Sequence, residues 1–294
     1  MHRSTGRLAV VDTLEEAIYA TGRNLFRLVP IYLLVWVAIF ASTPILEDIW
    51  FNGLGWRFLP TYVLEVKDAP LQAVYCVVFL RLGLLGIEPS KGAALVDGTV
   101  ARVALVLLAW FLGWALLDVV FRQLSWQFYV WTRPAQFDLN SWTYGQQAAV
   151  VRWSGWVERA LKLVVVGCVY GQAATVVVHG RFDLREHVAL LRADPVRLGL
   201  IVLAAAVLID GLDQIWYRIV PSLPKLSRDA ATLSEHWREA LWSSLASSSR
   251  RFPNHFIGDV FGAMLLAATY RRLIAIAKLR DLSLTPDPVP FPSP

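Results

Sequence analysis

The chain has 294 residues, 56% of them hydrophobic and only 17% charged, with a mean hydropathy of +0.48. A water-soluble domain is apolar in about 45–50% of its residues and charged in about 25%, so this composition excludes one and indicates an integral membrane protein. The formal net charge of +5 comes without any Lys/Arg run interleaved with aromatics, which argues against a nucleic-acid partner and for anionic lipid headgroups.

Taken in chain order, Thr13 is placed to cap a helix in which Leu14, Ala17, Ile18 and Leu25 share one face, a helix lying on the membrane surface. The uncharged run Leu28–Leu46 follows, roughly 19 residues, close to what a bilayer core requires, and it reads as an uncleaved anchor. Trp50, Phe51, Trp56, Phe58 and Tyr62 then predict an aromatic loop at headgroup level. A second span is expected over about Pro70–Ile87, with Arg81 inside it. A third starts after Arg102 and runs through Leu117, with Asp118 and Arg122 one turn beyond.

The connection Gln123–Lys162 carries Trp126, Trp131, Trp142, Trp153 and Trp156, and loops of that length rarely lack structure. It is read as a continuation of the third helix, a turn around Arg133–Pro134 and a surface helix near Trp153–Leu161. Spans four and five are expected over about Leu163–Val178 and Leu198–Tyr217, the latter containing Asp210 and Asp213. The link Pro221–Pro253 holds one amphipathic helix around Ser234–Ser248 before span six, about His255–Tyr270, which continues into a basic segment. Alternating Pro286, Pro288, Pro290, Pro292 and Pro294 make residues 282–294 an extended, mobile tail on a single polytopic domain, 1–281.

Displacing the chain on itself by about 95 residues sets Arg102 on Arg197 and Asp118 on Asp213, along with several leucines. A two-span unit duplicated over about 70–125 and 163–220 accounts for that pattern, giving parallel repeats about an axis along the membrane normal. The predicted fold is therefore all-α and integral to the membrane, with six spans, surface helices and an internal repeat. Basic amphipathic segments precede spans one, three and five, which predicts both termini on the cytoplasmic side of the membrane.

Charges within the apolar runs are the candidate site. Its residues are Asp118, Arg122, Asp210, Asp213, Gln214 and Asp259, of which the four aspartates are expected in the outer half of the bilayer or at its outer edge. Asp210, Asp213, Gln214 and Tyr217 fall at helical neighbour spacing, one polar stripe. A carboxylate at depth costs on the order of 2.5–3.5 kcal/mol on insertion scales, so these groups must face protein or water. Either they form an outward-open acidic cleft for a cation, a basic headgroup or a partner's arginine, or they pair with Arg122, Arg218, Arg250 and Arg251 or simply reach the outer interface. Arg81 reads as a contact to lipid phosphate on the inner side or as a plain anchor. His179 and His187, around GRFDLRE, read as a solvated face, too far apart for a metal site. Cys76 and Cys168 lie in apolar runs and form no disulfide framework. Gly167 and Gly171, and Gly258 and Gly262, are small-xxx-small patterns expected to bring helices close. No nucleophile elbow, zinc-protease, P-loop or dinucleotide glycine motif occurs, so neither catalysis nor a cofactor is predicted.

The recurring unit of a charged LxEA-type helix, an arginine and a span rests on Leu14–Ala17, Arg27, Leu184–Glu186, Arg197 and Glu239–Ala240. It resembles the bacterial membrane domains that accompany glycerophosphodiester phosphodiesterases and related stand-alone membrane proteins. No phosphodiesterase domain is attached here, so the resemblance implies a lipid-facing or assembly role without hydrolysis. The expectation is a scaffold or lipid-associated accessory subunit, partnered by the bilayer and by another membrane protein or further copies of itself. The alternative is a small permease that couples transport to protons or cations through its intramembrane aspartates.

Overall fold

The computed structural model describes residues 7–48, 61–87, 97–131, 171–219 and 233–280. The elements are α1 Val10–Asp48, α2 Thr61–Leu85, α3 Gly98–Trp131, α4 over residues 171–179, α5 Leu184–Ala193, α6 Pro195–Ile219 and α7 Leu233–Leu279. Among the described residues there is no strand, and five helices are long and apolar enough to cross a membrane. Those stretches are Val10–Thr43, Val66–Leu85, Gly98–Leu117, Pro195–Trp216 and Phe252–Leu279. The chain is an all-helical multi-pass membrane protein.

Helices run through several points where the sequence predicts a break. The surface helix and first span are one continuous helix, α1. Thr61–Ala69, expected within the aromatic loop and link, is the start of α2, with Pro70 inside the helix. The amphipathic helix expected around Ser234–Ser248 joins span six as α7, through Pro253. In lipid a backbone N–H or C=O has no water to bond, so continuing the helix is favoured even past a proline. α3 extends to Trp131, as the long connection suggests. The Arg133–Pro134 turn, the surface helix near Trp153, most of span four and the 282–294 tail lie outside the described residues.

Side chains that bond the backbone hold the chain where direction changes. Asp97 begins α3 by accepting from Thr99 N (2.9 Å) and Val100 N (3.3 Å). Asp183 begins α5 by accepting from Glu186 N at 2.9 Å, and Gly180, at φ +65, turns the chain out of α4. Asp194 separates α5 from α6 and accepts from Arg197 N at 3.4 Å while also taking Leu8 N at 2.9 Å. That last bond ties the chain's first described residues to the start of α6.

The buried stripe of α1 is Thr13, Ala17, Thr21, Asn24, Leu28, Tyr32 and Val35. Of the face expected from the sequence, Ala17 is buried and Leu14 and Leu25 pack against the core, whereas Ile18 is 55% exposed. Lipid tails solvate large apolar side chains about as well as protein does, so Ile18 gains little by turning inward. Polar members of the stripe bond the backbone one turn back: Thr21 Oγ1 donates to Ala17 O (2.7 Å) and Asn24 Nδ2 to Ala20 O (2.9 Å), while the buried Asn24 Oδ1 has no partner among the described residues.

The core runs along α7, which packs on α1, α2, α5 and α6, while α3 packs on α2. Val260, Ala263, Met264, Ala267 and Leu273 are buried there against Ala73, Phe79, Leu80 and Leu84 of α2. The tightest approach is at Gly83, where a Cβ would stand 2.9 Å from the Ala267 Cβ. The glycines singled out in the sequence behave differently. A Cβ at Gly258 would meet Ile209 of α6 at an ordinary 3.6 Å, one at Gly262 would meet nothing within 4 Å, and Gly167 lies outside the described residues. Gly171 does mark a close approach, to the His187 ring at 3.0 Å.

Candidate functional site

Three polar clusters tie the helices together at different depths. The deepest centres on Asp259 of α7. Its Oδ2 accepts from Tyr32 Oη of α1 (2.8 Å) and from Tyr75 Oη of α2 (3.1 Å). The hydroxyls are aimed by an aromatic cage: the Tyr32 ring lies 4.9 Å from that of Tyr75, edge-on, and 4.8 Å from that of Phe256. Hydrogen bonds to a charged group are each worth about 1.5–3 kcal/mol, enough for two to offset the insertion cost of one carboxylate. Asp259 thus joins three helices through the two phenols.

The second cluster lies where α4, α5 and α7 meet. Glu186 Oε1 accepts from Tyr270 Oη (2.7 Å) and sits 3.0 Å from His179 Nε2. The glutamate and histidine side chains are 2% and 3% exposed, which corrects the reading of His179 and His187 as a solvated face. Asp183-x-x-Glu186 has the spacing of a capping box, yet the glutamate turns inward to the histidine instead of back to the cap. Gln172, Thr175 and His179 follow at helical spacing on α4, and the Glu186 Oε2, the Gln172 amide and the Thr175 hydroxyl are buried with no hydrogen-bond partner among the described residues.

The third cluster is a layer of ion pairs at the end of the bundle. Arg271 and Arg272 of α7 hold Glu16 of α1 at 2.6 and 2.9 Å, and Arg271 also donates to Gly83 O of α2. Arg280 donates to Ala193 O of α5, and Arg197 of α6 to Leu8 O at 3.0 Å. Arg81 of α2 bonds Asp97 and reaches Thr99 Oγ1 at 3.4 Å. Burial raises the Asp97 carboxyl's pKa, but the Arg81 bond and charge, with the Thr99 and Val100 amides, outweigh it and hold the group below the ordinary carboxylate value. One end of the molecule therefore gathers the starts of α1, α3 and α6 with the ends of α2, α5 and α7.

The sequence-predicted residues are only partly brought together. Asp118 and Arg122 lie on the distal half of α3, and Asp210, Asp213 and Gln214 on that of α6, where Gln214 is exposed. Gly258 packs toward Ile209, which sets this part of α7 level with the stretch of α6 that carries Asp210. The Asp259 carboxylate, however, is directed to α1 and α2. Arg81 has an acidic partner that sequence reading overlooked, because Asp97 lies 16 residues away along the chain. Tyr32, Tyr75 and Tyr270 gave no signal beyond being aromatics in apolar runs. Among the described residues, no group of three or more His, Cys, Asp or Glu side chains could hold a metal ion.

No family model matches this chain, and neither does any curated protein or solved structure.

Proposed function

We propose that the protein is a non-catalytic scaffold or lipid-associated accessory subunit of the bacterial inner membrane, engaging a second membrane protein, or another copy of itself, along α6. The observation that carries this reading is Gln214. It is exposed on a span whose other outward residues include Leu203, Val207, Leu208, Leu212 and Ile215. Helical spacing sets it on one stripe with Asp210, Asp213 and Tyr217. Polar side chains facing lipid are costly, and in membranes such groups serve as contacts between helices.

Six crossings with both termini cytoplasmic are part of the same proposal. The Arg81–Asp97 pair supports it by setting the start of α3 beside the end of α2, while the Asp194–Leu8 bond sets the start of α6 beside the start of α1. A chain that leaves that end along α3 and departs again along α6 must return once between them, which is where span four is expected. The same end carries Arg181, Arg185, Arg192, Lys278 and Arg280, the excess of positive charge that marks a cytoplasmic side.

A photo-crosslinking residue at position 214 tests the docking face in cells. A protein adduct is expected there and none from the lipid-facing position 33; lipid adducts alone at 214 remove the reading. The second reading, a proton- or cation-coupled permease, draws on the Tyr32–Asp259–Tyr75 cluster, a protonatable group shared by three helices. It requires that Asp259→Asn abolish an ion-coupled flux in proteoliposomes while the protein stays folded, and an unchanged flux eliminates it.

A further inference from the structure

We propose that the outer face of α5, with the turn before it, is a binding surface for anionic phospholipid headgroups of the membrane leaflet at that end of the bundle. The inference rests on the chain's embedding in a bilayer and holds whether or not α6 docks a partner. α5 divides into three faces. Glu186, His187, Leu190 and Ala193 are buried against the bundle. Leu184, 70% exposed, and Val188, 42% exposed, share a second face at i and i+4. Arg185 and Arg192, both exposed and two turns apart, form the third. Arg181 and Phe182, also exposed, extend the basic and apolar faces into the preceding turn.

The sorting of charge by side carries the assignment. Every acidic residue of the segment is used inward or along the backbone. Asp183 caps α5, Glu186 meets His179 and Tyr270, and Asp194 holds Leu8 N and Arg197 N. Arg181, Arg185 and Arg192 face outward. A segment near neutral in sequence thus presents a purely cationic edge. A helix with one apolar and one basic flank outside a protein contact lies at the membrane interface, with aliphatic side chains among acyl chains and guanidiniums among phosphates. Arginine is suited to this by its planar fork of donors, which matches phosphate oxygens. The helix is also held in place: Glu186 and the Arg280–Ala193 bond fasten it to α7, so the arginines are presented without prior ordering of the helix.

The test uses the full chain reconstituted in phosphatidylcholine bilayers, with nitroxide-labelled phosphatidylglycerol or phosphatidylcholine as the probe. The wild type is expected to prefer the anionic lipid. R181Q/R185Q/R192Q should lower that preference on the order of fivefold or more, from the contribution of a basic residue near an anionic surface. The corresponding triple lysine variant should keep most of it. No preference in the wild type, or the same preference in the glutamine variant, overturns the proposal. Inorganic phosphate at matched ionic strength should leave the lipid preference standing; its loss would mark a site for free phosphate and overturn the lipid assignment. Should the glutamine variant fail to fold, a nitroxide at Val188→Cys, in a Cys168→Ala background, decides independently. Contact with dissolved oxygen in the acyl region is expected, and a label in water, as a soluble acidic partner would require, is the contrary result.

Discussion

α6 and α7 are both long and apolar enough to cross a bilayer, yet 72% of an apolar 18-residue window of α7 is buried inside the molecule against 12% of that of α6. The more buried of the two is the less apolar, with a mean hydropathy of 1.5 for α7 against 2.0 for α6. What differs with it is the set of polar groups that α7 turns to its neighbours. α7 offers Ala263, Ala267 and Ala268, and its polar groups Asp259, Tyr270, Arg271 and Arg272 each find a partner on another helix. α6 offers branched aliphatics, of which only Ile201 is buried. Large side chains of α7 such as Phe256, Phe261, Met264 and Leu273 are buried as well, because α7 packs on α1, α2, α5 and α6; its polar groups fix that central place by bonding to α1, α2 and α5.

The largest expected effect contrasts one glycine of each environment. Gly83→Leu forces a side chain into the Ala267 contact and should cost about 3 kcal/mol, while Gly211→Leu, in open space, should cost little. Thermal unfolding in mild detergent reads both, and equal losses would erase the distinction between core and edge helices. Next comes Asp259→Ala, which leaves two buried phenols without an acceptor and should lower stability by about 2 kcal/mol. If the cluster is one unit, Tyr32→Phe should add far less in the Asp259→Ala background than alone, and full additivity in that cycle argues against it.

A smaller effect concerns pH at the end of the bundle. Because the folded Asp97 carboxyl lies below its ordinary value, its contribution is present in full above the unfolded pKa, about 4. It fades as the pH falls through the lower folded value. Asp97→Asn should flatten that part of the acid-stability curve, and an unchanged curve would assign the acid sensitivity to another group. Smallest is Gly211→Ala, expected to raise stability by about 0.5–1 kcal/mol through helix propensity alone, since nothing stands within 4 Å of the added methyl. A loss there would mean that α6 is packed more closely than its exposure indicates.

Part of the site was legible in the sequence. Asp259 stood out because a carboxylate in an apolar run needs a reason, and Arg81 for the same cause. Their partners did not stand out. Tyr32 and Tyr75 lie 227 and 184 residues from Asp259 along the chain, and nothing local marks a tyrosine that will donate to a distant carboxylate. Glu186 and His179 misled for a different reason. Their surroundings, GRFDLRE, are charged, and only the fold of α5 against α4 and α7 turns one carboxylate of that run inward and leaves its arginines outside. The helix breaks expected before α1's span and before span six failed because turn signals that act in water compete poorly where the backbone has no other donor or acceptor.

Composition and the length of the apolar runs by themselves determined that this is a helical membrane protein, since only a helix closes its own hydrogen bonds over a stretch of that length in lipid. Which residues of each helix touch protein and which touch lipid was decided by tertiary structure alone. Both environments are apolar, so hydrophobicity carries no information about the choice. The close fit of Gly83 on Ala267 and the long-range bonds of Asp259, Glu186 and Glu16 make it instead.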